Sequence, residues 1–456
     1  MEKNKKLNPI DILSLALGAI IGWGSFTLPG TKFLPESGVI NTAIGLILGG
    51  LAVAFIQKGY HVMLINHCED GGEFSYTYEH MGRLHGFVAG WSLILCYISI
   101  VPLNATAFVL VLKRLFGSAI EKVYLYDVAG YPVYLSEVLI ASFILIVFAY
   151  INIRGIKASA LAQNIMVLFL VLNVLVVFVV MSIITDKEIF LKNYVFNYEF
   201  NIEEVAKVLA IVPFLFVGFD VIPQVSTQLN FKPGKATTMA IVSIFSGIMV
   251  YNLLNIITAF VYSPDDALAQ EWALGTAVLD HIGIIGFLLL LIALTAAVTS
   301  GINGFMLSAS RLIGALSNYG FFPAKYKEQN KAEVFENGIK FVTFISLIAP
   351  LFGRQVILYI VDMASLLAAI TYCYVCFISF KISKEKRQKY SSLMGSFVSL
   401  IFIALLVIPF SPARLSIPSM IFMAVWSIAG FFYYMKYCAN WQKGNILETN
   451  KNIRSG

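Results

Sequence analysis

Hydrophobic runs recur along the whole chain, each near the roughly 20 residues that one helix needs to cross a bilayer, and short polar segments separate them. The pattern predicts an all-α integral membrane protein with twelve transmembrane helices. The predicted spans begin near Ile10, Thr42, His85, Val133, Leu161, Ala206, Thr238, Asp280, Ile339, Gln355, Met394 and Ile417.

Two of these runs are interrupted, the first within residues 13–35 and the sixth within residues 211–235. A helix interior loses about 1 kcal/mol for Gly and about 3 kcal/mol for Pro, and broken backbone groups must be satisfied inside the membrane. A pair of interruptions five spans apart is typical of transporters built from inverted repeats, although a purely structural kink is the alternative for each. The interrupting residues are Gly18, Gly22, Gly24, Pro29, Gly30, Gly218 and Pro223.

Composition supports a membrane protein without a sizeable soluble domain. Of 456 residues, 59% are hydrophobic and 13% are charged, whereas soluble domains carry about 25% charged residues. The net charge of +6 does not indicate a nucleic-acid partner, because the basic residues lie in short loops. The five histidines lack metal-ligand spacing and no nucleotide-binding loop is present, so we predict neither an enzyme nor a bound cofactor.

The distribution of Lys and Arg predicts the orientation in the membrane. If the N-terminus is cytoplasmic, basic residues in the inside loops outnumber those in the outside loops by more than two to one. Both termini are therefore predicted to be cytoplasmic, and the overall residue usage favours a bacterial inner (cell) membrane. The sequence gives no indication of the oligomeric state.

Several segments resemble motifs of the amino acid–polyamine–organocation family. Residues 69–78 and 81–91 resemble its P-x-G-G-x-Y-x-Y…G…G-F…G-W signature, with Glu69 and Asp70 in the usual proline region and Phe74 in place of a tyrosine. The other similar segments are 18–26 (G-A-I-I-G-W-G-S-F), 151–157, 216–224, 309–312 and 318–323.

The resemblance covers spans one to ten and implies a leucine-transporter-type fold, in which five helices are followed by five in inverted orientation. It also implies secondary transport of amino acids or related amines. The implied segments are a cytoplasmic tail (1–9), the first repeat (10–184), the inverted repeat (205–382), two additional helices (393–437) and a cytoplasmic C-terminal tail (438–456).

An α-amino acid could bind where the interrupted helices meet. Free N–H groups of the first break, in residues 22–25, could donate to its carboxylate. The resemblance implies that carbonyls of both breaks accept from its ammonium group, and that an aromatic residue of span six, Phe214 or Phe216, closes over it; ordinary packing is the alternative for each. The predicted substrate-binding residues are Ala19, Ile20, Ile21, Gly22, Trp23, Gly24, Ser25, Phe214, Phe216, Val217 and Gly218.

Asp220 is predicted to act in coupling or gating, because an ionisable residue inside a span is costly and is by default a functional hypothesis. An N-terminal cap of the second half of span six is the alternative. Some related transporters carry a lysine in span five, but the register places Leu170 there. The sequence therefore leaves three modes of coupling as alternatives: sodium coupling, proton coupling and exchange without an ion.

A candidate sodium site is implied by span eight. Ala296, Thr299 and Ser300, together with Ile20, resemble the sodium ligands of the leucine-transporter-type fold. Hydroxyl and carbonyl oxygens suit a hard cation, although Ser and Thr also pack helices together in membranes. The roles of Lys58 and Asp362 are not indicated by the sequence.

The predicted function is secondary transport of amino acids by alternating access, as a symporter or antiporter. A cationic amine or polyamine exchanger is the alternative, and a channel or receptor is the alternative from a different class. A channel would require continuous polar faces along a pore, and a receptor would require a large ligand-binding loop. Neither feature is apparent in the sequence.

Overall fold

The computed structural model describes residues 6–411 and 413–438, and most of them are helical. Residues 439–456 of the predicted C-terminal tail lie outside that range. The helices are α1 (Pro9–Ile20), α2 (Gly24–Leu28), α3 (Leu34–Ser37), α4 (Ile40–Asn66), α5 (Glu73–Met81), α6 (Arg83–Phe116), α7 (Leu135–Ile153), α8 (Ile156–Ile184), α9 (Glu188–Phe190), α10 (Ile202–Leu215), α11 (Val221–Gln224), α12 (Pro233–Ala259), α13 (Pro264–Ala269), α14 (Ala273–Ile282), α15 (Ile284–Asn318), α16 (Glu336–Ile348), α17 (Gly353–Ile382), α18 (Lys386–Val407) and α19 (Ile417–Tyr433).

A β-hairpin and short π- and 3₁₀-helical turns lie between these helices. The two strands β1 (Tyr124–Val128) and β2 (Tyr131–Tyr134) form an antiparallel hairpin. The π-helical turns are Pro29–Phe33, Leu191–Phe196 and Tyr434–Cys438, and the 3₁₀ turns are Gly117–Ile120, Ser226–Gln228, Ala324–Lys327 and Ala349–Phe352.

Nine helical segments within the described residues are long and apolar enough to cross a membrane, and a bent pair raises the number to ten. The bent pair joins Pro9–Ile20 to Gly24–Ser37 at an angle of 47°. Predicted spans nine and ten form one helical stretch, Glu336–Ile382. A multi-pass, all-α membrane protein is thus confirmed, whereas the count of twelve and the division into inverted repeats stay predictions.

Helix α15 lies in the centre of the bundle. It is buried almost without interruption from Leu290 to Ser317, and it packs against α1, α6, α8 and α16. By contrast, α18 and α19 expose large apolar side chains such as Phe397 and Phe432. Outward-facing apolar side chains are suited to contact with lipid, which agrees with the predicted bilayer environment.

Both predicted interruptions are present as backbone breaks. The first separates α1, which ends at Ile20, from α2, which begins at Gly24. The second lies between Leu215, the end of α10, and Val221, the start of α11. Gly218 adopts a φ of +135° in the second break, a region that residues with a Cβ atom rarely adopt.

Candidate functional site

The two helix breaks lie against each other in the middle of the bundle. A Cβ atom on Gly218 would lie 2.7 Å from the carbonyl carbon of Ala19, so only glycine allows this approach. The hydroxyl of Tyr251, on α12, donates to the carbonyls of Ile20 (3.3 Å) and Leu215 (3.4 Å). Tyr251 therefore connects the ends of the two broken helices, α1 and α10.

A cavity of about 350 Å³ opens beside the meeting point of the breaks. Seven of the eleven predicted substrate-binding residues line it: Ala19, Ile20, Gly22, Trp23, Gly24, Phe214 and Val217. Ile21, Ser25, Phe216 and Gly218 are buried outside the lining. The remaining wall is mostly apolar, with Asn104 and Ser365 among its polar members.

The residues of the first break that line this cavity carry unengaged backbone N–H groups. Among the described residues, no hydrogen-bond acceptor is found for the N–H groups of Gly22, Trp23 and Gly24. The N–H of Ser25 is already engaged, since it donates to the Gly22 carbonyl at 3.2 Å. Three of the four predicted donors are thus free to bind an anionic group, which N–H groups at the start of a helix favour.

The two candidate aromatic residues differ in position. Phe214 lines the cavity, with its side chain 39% exposed, and its Cε1 atom would lie 3.7 Å from a Cβ on Gly24. Phe216 is buried, and its ring packs edge-on against Tyr251 with a centroid distance of 6.4 Å. Of these two residues, only Phe214 lines the cavity, where an aromatic side chain could cover a ligand.

Asp220 does not line the cavity; it is buried, and its charge acts on a second buried acid, Glu73. Its Oδ1 accepts from the N–H of Gly218 (2.7 Å), and its Oδ2 accepts from the hydroxyl of Tyr97 (3.1 Å). The residue occupies the N-cap position of α11, but its side chain makes no capping hydrogen bond. The alternative reading of Asp220 as a helix cap is therefore not supported by the geometry.

Glu73 lies at the start of α5 and is fully buried. Its carboxylate accepts from the Tyr60 hydroxyl (2.9 Å) and from the Gln224 amide (2.7 Å). Burial and, to a smaller extent, the negative charge of Asp220 raise the pKa of the Glu73 carboxyl. The two carboxyl groups therefore share a poorly hydrated environment in which one proton is held more tightly than in water.

The candidate sodium ligands are engaged with one another and with α1. The Ser300 hydroxyl donates to the Gly18 carbonyl at 2.9 Å, and the Thr299 hydroxyl donates to the Thr295 carbonyl at 2.7 Å. The side-chain nitrogen of Gln163 lies close to Gly18. Gln163 therefore brings an N–H donor, not another oxygen ligand, to this part of the site.

The face of the bundle that carries Leu7, Asp70 and Arg311, here called the N-terminal face, is closed. The N–H of Leu7 donates to the Gln228 carbonyl at 2.7 Å. Asp70 accepts from the Thr227 hydroxyl at 2.7 Å, and Arg311 Nη1 lies 3.7 Å from its Oδ1. These contacts hold the segments of the N-terminal face together, so that the cavity is closed toward this face. Its lining extends to Thr31 and Lys32 on the opposite side.

Two charged residues without a predicted role are also located. Asp362 lies at the mouth of the cavity, where the Ser419 hydroxyl donates to its Oδ2 at 3.4 Å. Lys58 is on an exposed face of α4, away from the cavity lining.

The sequence reasoning missed Tyr251 and Glu73. Tyr251 is one of 22 tyrosines, and nothing local distinguishes it. Glu73 belongs to the signature segment 69–78, where it follows two glycines and precedes an aromatic run. A charged residue in that position could have indicated a functional role. A buried acid in a predicted loop can be recognised only when the loop is known to fold back into the bundle.

Comparison with known proteins identifies relatives over nearly the whole chain. The amino acid permease family model matches residues 7–436. The gamma-aminobutyric acid permease of Bacillus subtilis is 22% identical over 84% of this chain and 80% of its own length. The putative arginine/ornithine antiporter of Escherichia coli K12 is 24% identical over 72% of this chain and 70% of its own length.

A third relative, the methylthioribose transporter of Bacillus subtilis, is 25% identical over 55% of this chain. The match spans 57% of the length of that relative. All three relatives are named as transporters, which confirms the prediction of a permease and excludes the enzyme class. The chain belongs to the amino acid permease family, within the amino acid–polyamine–organocation superfamily.

Proposed function

We propose that this protein is a secondary transporter of neutral α-amino acids across the cell membrane, working by alternating access. The observation that carries the proposal is the apolar cavity beside three free N–H groups of the first helix break. The N–H groups of Gly22, Trp23 and Gly24 bind the substrate carboxylate. The nearby carbonyls of Ala19 to Ile21 and of residues 214–217 accept from its ammonium group, and Phe214 covers it.

The cavity lining favours a neutral substrate over a cationic one. Of the described residues that line it, Asp362 is the one acid, and it lies with Lys32 at the mouth. A buried cationic side chain requires a partner charge, because an unpaired charge in an apolar pocket is costly. A cationic amine or polyamine exchanger remains the second candidate, because one relative is named as an arginine/ornithine antiporter.

Alternating access fits a molecule that is closed on one face and open on the other. In this arrangement the N-terminal face, which we assign to the cytoplasm, is sealed by contacts of Asp70 and Leu7. A channel would need a continuous path through the bundle instead. We further propose twelve spans with a five-plus-five inverted repeat, in which α1/α2 and α10/α11 are the interrupted helices.

For coupling, we propose either proton coupling or exchange without an ion, in preference to sodium coupling. The hydroxyls of Thr299 and Ser300 point to helix carbonyls, and the Gln163 amide nitrogen lies beside Gly18. A cation needs oxygen ligands around it, and a nearby N–H donor opposes its binding. Glu73 and Asp220 offer a buried pair that can hold a proton instead.

The test is uptake of labelled neutral and cationic amino acids and amines into proteoliposomes. Uptake is measured with a proton gradient, a sodium gradient, neither, or an unlabelled internal pool. We expect saturable uptake of neutral amino acids, independent of sodium. Uptake should be abolished in Gly24→Leu, whose side chain enters the cavity, and retained in Gly234→Leu, which adds the same group beside His61 outside it.

Saturable uptake of cationic amines alone would favour the second candidate, and sodium-driven uptake would contradict the coupling proposal. Absence of saturable uptake for every substrate would overturn the transport proposal.

A further inference from the structure

His67, Glu79 and His80 form a cluster on the N-terminal face, outside the substrate cavity. His67 follows the end of α4, and the other two residues lie near the end of α5. One ligand atom from each residue lies within 4.8 Å of the others. His67 is half-buried, whereas Glu79 and His80 are exposed, so an ion could reach them from solvent.

The hydrogen bonds of the cluster determine which ring nitrogens are available. Glu79 Oε2 lies 2.9 Å from His67 Nδ1 and accepts a hydrogen bond from the N–H at that position. The lone pair of His67 is then on Nε2, which faces His80 Nε2 at 2.9 Å. Two ring nitrogens that point at each other hold a single proton between them, and a metal ion can take its place.

A metal ion requires the ring of His80 to reorient. Zn–N bonds of about 2.0–2.1 Å in a tetrahedral site place two nitrogens roughly 3.4 Å apart. The two nitrogens would therefore lie about 0.5 Å further apart than at present, and the ring of His80 would also tilt so that its lone pair points at the ion. The exposed side chain of His80 allows this movement. The proton on His80 Nε2 moves through solvent to Nδ1 of the same ring, and water completes the coordination.

We propose that His67 and His80 bind a transition-metal ion of the Zn²⁺ class through their Nε2 atoms. Glu79 is a positioning residue, because it fixes the tautomer of His67 in the carboxylate–histidine–metal arrangement common to such sites. Imidazole nitrogens suit Zn²⁺, Cu²⁺ and Ni²⁺, and not Mg²⁺ or Ca²⁺.

The site has a consequence for the closed N-terminal face. The segment between the two histidines carries Asp70, which contacts Arg311 and Thr227, and Glu73, which contacts Gln224. A metal ion would tie both ends of this segment together and stabilise its present position. Metal on this face should therefore slow transport; this step alone rests on the proposed function.

The binding test uses the full-length protein, purified in detergent through an affinity tag that contains no histidine. Co²⁺ is titrated, its visible absorption is recorded, and Zn²⁺ is added as a competitor. We expect saturation at one ion per chain. The affinity should fall at least tenfold in His67→Ala and in His80→Ala, and by about 10–100-fold in Glu79→Gln.

The control is His281→Ala, which should bind Co²⁺ as the wild type does. It removes an exposed histidine whose one hydrogen bond within the described residues is to the Ala277 carbonyl. Melting curves verify that each variant is folded. Absence of saturable binding, or equal affinity in wild type and both cluster histidine variants, would overturn the proposal.

The consequence for transport is measured separately, with Zn²⁺ buffered on the N-terminal face of proteoliposomes. Uptake should slow in the wild type and stay unchanged in His80→Ala. Metal binding without slower uptake would overturn the link to the closed face. Because Co²⁺ binding is measured without substrate, absence of uptake in every preparation would count against the proposed function and leave the metal site standing.

Discussion

Glu73 and Asp220 bring two carboxyl groups into one buried environment that Tyr60, Tyr97 and Gln224 complete. Burial, then the charge of Asp220, raises the pKa of Glu73 above its ordinary value of 4.5. The folded protein therefore binds this proton more tightly than the unfolded chain does. Stability from Glu73 is fully present below pH 4.5 and declines as the pH rises through the elevated pKa.

Glu73→Gln should make the melting temperature less sensitive to pH above 4.5. The amide has no proton to lose, and Gln224 can turn its Oε1, which has no partner among the described residues, toward the new N–H donor. Melting temperatures of wild type and variant across a pH series provide the measurement. The exposed Glu188→Gln on α9 is the control. Parallel curves for wild type and Glu73→Gln would contradict this account.

Gly218→Ala should destabilise the meeting point of the two breaks. The new Cβ would clash with the Ala19 backbone. The alanine would also have to adopt the φ of +135° that Gly218 has, and such strain costs about 1–3 kcal/mol. Gly304→Ala is a matched control, since its Cβ would lie 3.8 Å from the Cβ of the same Ala19. Thermal melting in detergent should show a loss in Gly218→Ala alone; equal melting temperatures would count against the close approach.

At the scale of elements, glycine and proline patterns predicted where the two helices break but not what lies around the breaks. The first break was expected to expose the N–H groups of residues 22–25, and α1 ends just before them, at Ile20. The predicted start of span eight near Asp280 instead falls in α14, and Gly283 separates that helix from α15. Apolar periodicity continues through such a short interruption, so hydropathy alone does not reveal it.

The contents of the site depend on contacts between distant segments, which explains what could not be predicted. The free N–H groups of the first break follow from local sequence, because its glycines interrupt the helix. The burial of Glu73 requires Gly71 and Gly72 to turn α5 back against Pro223. The choice between Phe214 and Phe216 likewise depends on how α10 packs against Tyr251 on α12.

A buried amide network joins α7, α8 and α15 around Asn303. Its Oδ1 accepts from Asn152 (2.9 Å) and from the Ser159 hydroxyl (3.0 Å), while its Nδ2 donates to Gln163 Oε1 (2.8 Å). Gln163 in turn donates to the Ser14 carbonyl of α1 at 3.2 Å. The network therefore holds the first broken helix against the centre of the bundle.

Asn303→Ala should lower the free energy of unfolding by about 1–3 kcal/mol, because its buried partners lose their hydrogen bonds. Asn173→Ala is the control. In the part of the chain that the structure describes, that buried amide of α8 donates only to the Phe169 carbonyl of its own helix, and this carbonyl keeps a helical hydrogen bond. Melting in the same detergent compares the two variants, and a smaller loss in Asn303→Ala than in Asn173→Ala would contradict the assigned role of the network.

At the scale of the whole molecule, the closed N-terminal face and the open cavity mouth can be tested by side-specific labelling. Thr31 is exposed at the mouth, and Lys331 is exposed in the connection between α15 and α16 on the other side. Thr31→Cys and Lys331→Cys are made in a Cys68→Ser background, which removes the exposed native thiol. Intact cells are then treated with a membrane-impermeant maleimide.

Thr31→Cys should react in intact cells, whereas Lys331→Cys should react only after the membrane is permeabilised. This result follows if the N-terminal face is cytoplasmic and the cavity opens outward, as the distribution of basic residues predicts. The opposite pattern would reverse the orientation, and the cavity would then open to the cytoplasm. A substrate that closes the mouth should slow the labelling of Thr31→Cys and leave Lys331→Cys unchanged in permeabilised cells, because only the first position lies on the substrate's path.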